Sequence, residues 1–217
     1  MLNRWFGKKQ DGGPPASAPD LRELRVPRHS GGWAALRKRL ETESDLHTID
    51  TGSTSSTNIS YLTGLGHSVF LANLVHDALT GEWQTGLDGA GNPTWNVEGF
   101  LAESLNFSGR RFDVVLLWTA LDYLPEALVE PVVAHLFEAM NPEGQLLAFF
   151  HTRSQGEETA YCRFHVTPTD DVEVQLAEPF PMQRTFSNRS IQQLFKDWSG
   201  FRQFLAKDSV SEVIITR

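Results

Sequence analysis

Cysteine is almost absent from this sequence, since Cys162 is the only one in 217 residues. A single cysteine excludes an internal disulfide framework and fits a reducing compartment, so we expect a cytoplasmic protein. No stretch is apolar enough, over a sufficient length, to cross a membrane. The seven histidines include no pair at helical i, i+4 spacing, and no Cys/His cluster occurs. We therefore expect no metal site.

Positive charge is also scarce. The net charge is −8 and the pI is near 5.3. A general nucleic-acid binder needs a basic face, so this balance argues against nucleic acid as a partner. What the chain does have is 40% apolar residues, enough for the core of one large domain.

Glycine is missing where a nucleotide-binding loop would need it. Asp50 ends a predicted strand, and the segment that follows, Thr51–Asn58, is rich in hydroxyls and contains a single glycine, Gly52. The order of strand, polar turn and helix is that of the first unit of a doubly wound α/β domain, where a cofactor binds above the first turn. The Gly-Lys-Ser/Thr ending of a phosphate-binding P-loop is absent, which argues against a nucleoside triphosphatase.

Hydrophobic periodicity along the rest of the chain predicts alternating strands and helices. The predicted strands are Leu46–Asp50, Ser68–Leu74, Phe112–Trp118, Gln145–Phe150, Ala160–Val166, Val172–Leu176, Phe201–Leu205 and Glu212–Thr216. The predicted helices are Gly32–Glu43, Asn58–Leu65, Trp95–Leu105, Pro125–Met140 and Asn188–Trp198. Such an order predicts a mostly parallel sheet with antiparallel strands at one edge.

Two parts of the chain are candidates for contact with a partner protein. Residues 1–30 are predicted to be a flexible leader, whose basic and aromatic start could tether the predicted domain at residues 31–217. The glycine-rich segment Gly81–Pro93 is predicted to be a long loop. A group of aromatic residues around its end, Trp83, Trp95 and Phe100, is predicted to form a lid or a contact surface.

The order of these parts resembles the class I S-adenosylmethionine-dependent methyltransferase family. The resemblance covers roughly Trp33 to Arg217, and its clearest pieces are Phe112–Pro125 and the Asn-Pro-Glu-Gly-Gln turn at Asn141–Gln145. It implies a Rossmann-like, doubly wound sheet of seven strands, mostly parallel, with a C-terminal antiparallel hairpin. It also implies S-adenosylmethionine as the cofactor.

The family's loop after its first strand usually carries an acid and three glycines. Asp50 and Gly52 match that pattern, while Thr54 and Ser56 replace the second and third glycines. The resemblance assigns the ribose-binding position to Asn73, where family members usually have an acid. The implied cofactor-binding residues are Asp50, Gly52, Ser53, Thr54, Asn73, Trp118 and Thr119.

Three further residues are candidates for catalysis, because they follow strands at the edge where doubly wound folds bind ligands. Asp122 and Tyr123 come after the strand Phe112–Trp118, and His151 follows the strand Gln145–Phe150. A histidine there could act as a general base. The plainer readings are a helix-capping Asp122 beside a buried Tyr123, and a solvated His151 at a strand end.

Two functions remain open from the sequence. The first is a methyltransferase of bacterial type with a degenerate cofactor loop, acting on a small molecule or a protein side chain. The second is a catalytically inactive member of the same fold that works through protein–protein interaction. Fold alone does not decide between them.

Overall fold

The structure is a computed structural model that describes residues 22–152, 160–204 and 208–217. Its strands are β1 (Arg25–His29), β2 (His47–Asp50), β3 (Ser68–Leu71), β4 (Gln84–Leu87), β5 (Pro93–Trp95), β6 (Phe112–Trp118), β7 (Met140–His151), β8 (Cys162–Val166), β9 (Asp171–Leu176), β10 (Gly200–Phe204) and β11 (Val210–Thr216). Its helices are α1 (Gly31–Thr42), α2 (Ser56–Gly64), α3 (Leu74–Thr80), α4 (Val97–Ser104), α5 (Ala120–Tyr123), α6 (Glu126–Ala139) and α7 (Asn188–Leu194).

The main sheet has the strand order β10-β11-β7-β6-β2-β3. Strands β3, β2, β6 and β7 are parallel, whereas β11 pairs antiparallel with both β7 and β10. The chain leaves β2 toward β3 on one side and returns to pair β6 on the other. This reversal is the topological switch point, at which open α/β sheets form a ligand-binding crevice outside the carboxyl ends of the strands.

Apolar side chains cover both faces of the main sheet. On one face, Val114, Leu116 and Leu147 pack against α1, α2 and the strands β8 and β9. On the other, Val115 and Leu146 pack against the helices α3, α4, α6 and α7. The predicted mixed α/β class with a central, mostly parallel sheet is therefore confirmed. Along the described residues, no helix is both long and apolar enough to span a bilayer.

The described part of the main sheet has six strands, against the seven expected. The region that would supply another strand beyond β3 folds instead into a separate hairpin, in which β4 pairs antiparallel with β5. Strand β4 lies inside the predicted loop Gly81–Pro93, and β5 begins at the last residue of that loop. All four residues of β4 are exposed, and Leu87 retains 66% of its accessible surface. Such a segment supplies no apolar face that could pack into a buried sheet.

A second sheet of three strands has the order β1-β9-β8. Strand β1 lies inside the predicted leader, so residues 25–29 are part of the fold and not a flexible segment; residues 1–21 lie outside the described ones. The sequence also placed Leu74 in a strand. The structure ends that strand at Leu71 and begins α3 at Leu74, a helix too short to show a clear apolar period.

Candidate functional site

The turn after β2, residues 50–55 (the Asp50 turn), lies between the ends of its two neighbouring strands. The backbone N–H of Thr51 donates to the carbonyl of Leu116 in β6 at 3.0 Å. On the other side, the N–H groups of Ala72 and Leu74 donate to the carbonyls of Asp50 and Thr51 at 3.0 and 3.2 Å. The turn therefore stands at the carboxyl edge of the sheet, at the switch point, as the sequence predicted.

The carboxylate of Asp50 is buried and has hydrogen-bond donors on both oxygens. Its Oδ1 accepts from Trp118 Nε1 at 2.8 Å and from the Gly52 backbone N–H at 3.1 Å. Its Oδ2 accepts from Asn58 Nδ2 at 2.7 Å. Loss of water around the carboxylate raises the pKa of Asp50, and these three donors oppose that shift. The carboxylate is thus fully occupied by groups of the chain itself.

Asn58 is the central residue of this network, a role that the sequence did not reveal. Its Nδ2 donates to Asp50 and, at 3.0 Å, to the Phe164 carbonyl of β8. Its Oδ1 accepts from the Val166 N–H at 2.8 Å. The helix α2 begins two residues earlier than predicted, at Ser56, because Ser55 Oγ caps it by accepting from the Asn58 N–H at 3.1 Å. Asn58 therefore ties the Asp50 turn to the second sheet.

The network extends through a buried histidine. His165 Nδ1 lies 2.7 Å from Ser55 Oγ, and its Nε2 lies 2.8 Å from the Oε1 of Gln175. Burial lowers the pKa of His165, which favours the neutral ring. Because the Gln175 oxygen only accepts, the proton sits on Nε2, and Nδ1 accepts from the Ser55 hydroxyl. His165 directly follows Phe164 on β8, and only tertiary contact connects it to the turn.

Trp118 lies directly over the single glycine of the Asp50 turn. A Cβ built on Gly52 would stand 2.8 Å from Trp118 Cδ1. The indole is stacked on Phe164, with ring centroids 5.1 Å apart and an interplanar angle of 8°. It also meets the edge of Phe149 at 5.4 Å. The space in which a ligand would approach Gly52 is therefore filled by the indole.

An extended segment at residues 177–187 (the crossing segment) passes over the same edge of the sheet. Near its start, Glu178 Oε2 accepts from the hydroxyl of Ser53 at 3.2 Å. Further on, the N–H groups of Gln183 and Arg184 both donate to the Asp122 carbonyl, at 2.8 and 3.1 Å. The segment thus joins the Asp50 turn to the region after β6. Sequence reasoning missed it because it has no regular period.

The remaining predicted cofactor residues differ in how they are placed. Thr54 is exposed at the tip of the Asp50 turn, whereas Thr119 is buried directly after Trp118 and makes no side-chain cap to α5. Asn73 lies between the two residues that bond to the turn, and its Oδ1 is buried without a hydrogen-bond partner. A buried acceptor without a donor costs free energy unless a bound group satisfies it.

The three catalytic candidates come together at the ends of β6 and β7. Asp122 is fully buried, and its Oδ2 accepts from His151 Nδ1 at 2.6 Å and from the His151 backbone N–H at 2.8 Å. Its Oδ1 is buried without a partner. The ring of Tyr123 meets His151 edge-on at 6.1 Å. Burial raises the pKa of both Asp122 and Tyr123 above their usual values.

These contacts correct the plainer readings of Asp122 and His151. Asp122 does not cap a helix with its side chain, since its carboxylate holds His151 instead. His151 is 9% exposed and not solvated at a strand end. With Asp122 ionised, the imidazole proton is on Nδ1, and the lone pair of the neutral ring is on Nε2.

The residues at this edge fit the implied cofactor, S-adenosylmethionine, at one end better than at the other. The orphaned Asn73 Oδ1 suits a donor such as a ribose hydroxyl. At Gly52, the indole of Trp118 takes the space that a ligand would need. Occupation of the whole crevice therefore requires the indole to move.

The predicted aromatic contact surface is not formed as expected. Phe100 is fully buried, and Trp83 packs against it edge-on at 5.5 Å while donating to the Asp77 carbonyl. Trp95 is also packed against this core. Phe100 is therefore unavailable for contact with a partner, while Trp83 and Trp95 are half-buried.

No protein-family model and no curated protein sequence matches this chain. Solved structures do resemble it. TehB from Haemophilus influenzae shares 14% identity over 84% of this chain, with a TM-score of 0.46. A methyltransferase from Methanosarcina mazei shares 16% identity over 83% of this chain and 96% of its own, with a TM-score of 0.47.

A third similar structure is an N1-methyltransferase from Burkholderia thailandensis, described with bound S-adenosylhomocysteine. It shares 12% identity over 86% of this chain and 76% of its own, with a TM-score of 0.43. The present chain spans 61% of the length of TehB. Of these three structures, two are named as methyltransferases. The ligand and the reaction of the present chain are matters for proposal.

Proposed function

We propose that this chain is a methyltransferase-like protein that takes S-adenosylmethionine at the carboxyl edge of β2, β3 and β6. The observation that carries the proposal is Asn73 Oδ1, a buried acceptor without a partner, next to the Asp50 turn at the switch point. In this proposal Asn73 accepts from a ribose hydroxyl.

When bound, S-adenosylmethionine supplies an electrophilic methyl group on a positively charged sulfur. The acceptor, a small molecule or a protein side chain, needs in-line placement and, if it is a hydroxyl or amine, loss of a proton. In this proposal His151 takes that proton through Nε2. Asp122 orients the ring from Nδ1 and stabilises its charged form, as a third group orients the base in a catalytic triad.

Calorimetric titration with S-adenosylhomocysteine tests the cofactor site. We expect saturable binding, weakened roughly tenfold by Asn73→Ala, because one hydrogen bond is lost. The matched control is Ser60→Ala, since Ser60 is exposed on α2 and is not among the implied cofactor-binding residues. No heat of binding at millimolar ligand, or equal affinity of Asn73→Ala and the natural protein, would contradict the proposed site.

A second function is favoured by a different observation. The Asp50 carboxylate has donors on both oxygens, and Trp118 covers Gly52, so the Asp50 turn is complete without a ligand. In this alternative the chain is an inactive methyltransferase-fold subunit that binds another protein, with the N-terminal residues as the tether.

A pull-down separates the alternative from the first proposal. Full-length protein is compared with a form lacking residues 1–21, which keeps β1 and its pairing with β9. Loss of the same partners in the shortened form, together with absence of S-adenosylhomocysteine binding, would support the tether. Recovery of identical partners by both forms would eliminate it.

A further inference from the structure

Trp118 has a backbone conformation that a bulky residue rarely adopts. Its φ is +51°, in the left-handed region, at the point where β6 ends. Such conformations persist where surrounding contacts hold them, and they cluster at ligand sites and switches. Contacts with the rest of the fold, and not the backbone preference of tryptophan alone, therefore determine the position of this indole.

Contacts on three sides hold the ring in place. Nε1 donates to the Asp50 carboxylate at 2.8 Å, one face is stacked on Phe164, and Phe149 meets the indole edge-on. Trp118 retains only 2% of its accessible surface. The indole thus makes one hydrogen bond and two aromatic contacts. Proteins bind flat heterocyclic ligands through the same kinds of contact.

Gly52 shows what this indole displaces. A Cβ on Gly52 would lie 2.8 Å from Cδ1 and 3.2 Å from Nε1 of Trp118. A glycine in such a turn lets another group approach the backbone closely, and in this structure that group is the indole itself. Because Asp50 is held by the same ring, departure of the indole would expose both Gly52 and one oxygen of Asp50.

We propose that Trp118 is a gating residue that occupies the Gly52 side of the crevice and competes there with an adenosine-containing thioether or sulfonium ligand. This rests on the proposed function. The apparent affinity is the intrinsic affinity multiplied by the fraction of molecules in which the indole is displaced. The closed position therefore lowers the apparent affinity. Removal of the indole removes that competition.

The test is calorimetric titration of S-adenosylhomocysteine into the natural protein, Trp118→Ala and Trp198→Ala. Trp198 is the matched control, because it is a half-buried tryptophan that packs on Phe137 and Phe195 away from the turn. We expect Trp118→Ala to bind roughly tenfold more tightly or better, and Trp198→Ala to bind as the natural protein does.

The outcomes separate the gate from the proposed function. Unchanged or weaker binding by Trp118→Ala, with binding by the natural protein, would overturn the gate and leave the cofactor site standing. Binding by none of the three proteins would overturn both. If Trp118→Ala does not fold, Trp118→Phe replaces it, since a phenyl ring keeps an aromatic contact with Phe164 and loses the bond to Asp50.

A second measurement uses the natural sequence. The six tryptophans are replaced by 5-fluorotryptophan, and the fluorine resonance of Trp118 is identified by its loss in Trp118→Phe. Saturation with S-adenosylhomocysteine should shift that resonance and leave that of Trp198 in place. A Trp118 resonance that does not move while calorimetry shows saturation would contradict the gate.

Discussion

Two buried aspartates stand at the same edge of the main sheet, and they differ in how completely they are paired. Asp50, at the end of β2, has donors on both carboxylate oxygens. Asp122, just after β6, has two donors on one oxygen and none on the other. Burial raises the pKa of both. The first is a completed structural network, whereas the second retains an unsatisfied atom beside a histidine.

This difference shows where the candidate chemistry lies. A satisfied buried network stabilises one arrangement of the chain, while a partly satisfied one costs stability unless a ligand or proton completes it. The region around Asp50, where the sequence resembles a nucleotide-binding loop, therefore has no carboxylate oxygen without a partner. The region around Asp122 and His151 is the one that keeps a buried carboxylate oxygen without a partner.

The largest effect is expected for Asn58→Ala. The change leaves an oxygen of Asp50, the Phe164 carbonyl and the Val166 N–H without partners. We expect the free energy of unfolding to fall by at least ~3 kcal/mol, since each unsatisfied buried group costs ~1–3 kcal/mol. Urea denaturation measures the loss. The exposed control Thr54→Ala should change it by less than ~0.5 kcal/mol, and a similar small loss for Asn58→Ala would refute the network.

The matched pair Asp50→Asn and Asp122→Asn tests the comparison directly. In Asp50→Asn the new amide nitrogen faces a donor, from Asn58 or from Trp118, so we expect a loss of ~2–3 kcal/mol. In Asp122→Asn the nitrogen can take the unpartnered position, and the loss should stay under ~1 kcal/mol. Equal losses in the two variants, measured by chemical denaturation, would remove the distinction.

Gly52→Ala probes the filled side of the crevice. The added Cβ meets Trp118 at 2.8 Å, so the indole or the turn must shift, at a cost of ~1–3 kcal/mol. Gly64→Ala is the control, because nothing lies within 4 Å of its added Cβ at the end of α2. There we expect no loss, and a gain of up to ~1 kcal/mol from helix propensity. Thermal melting of both variants would settle the matter, and an unaffected Gly52→Ala would show that the indole does not fill that space.

The smallest effect is a pH dependence that comes from Asp122. Its pKa in the folded protein is raised by burial, so between the unfolded value, about 4, and the folded value the native state binds more protons than the unfolded state. Stability from this group is therefore present below about pH 4 and is lost as the pH rises through the folded pKa.

Asp122→Asn removes this contribution and leaves Asp50 unchanged. The difference in the free energy of unfolding between the natural protein and this variant should turn against the natural protein as the pH rises from 4. Denaturation curves at several pH values measure that difference. A constant difference across the range would show that Asp122 titrates as an ordinary exposed carboxyl group.

Much of the fold was predictable from local patterns. The run Phe112–Trp118 is apolar throughout, which suits a strand covered on both faces, and it is the strand β6. The recurrence of apolar residues at helical spacing in residues 125–140 likewise predicted α6. Several elements escaped prediction because they are short and lack such patterns, namely the strands β1, β4 and β5 and the helices α3 and α5.

The sequence predicted where the candidate site lies, but not which partners its side chains contact. Asp50, Gly52 and Asn73 follow parallel strands, so their place at one edge is a consequence of topology. The pairings of Asp50 with Asn58 and of Trp118 with Phe164 are not, because they depend on where β8 packs. Residues 106 positions apart, such as Asn58 and Phe164, carry no signal of their contact in a single sequence.

The sequence by itself determined the class of fold and the edge at which polar groups gather, since apolar periodicity and strand ends are local properties of the chain. Only the tertiary structure decided that the crevice over Gly52 holds an indole and that Asp122 holds His151. Those outcomes depend on long-range packing, in which the second sheet and the crossing segment lie over the carboxyl edge and choose the partner of each buried polar atom.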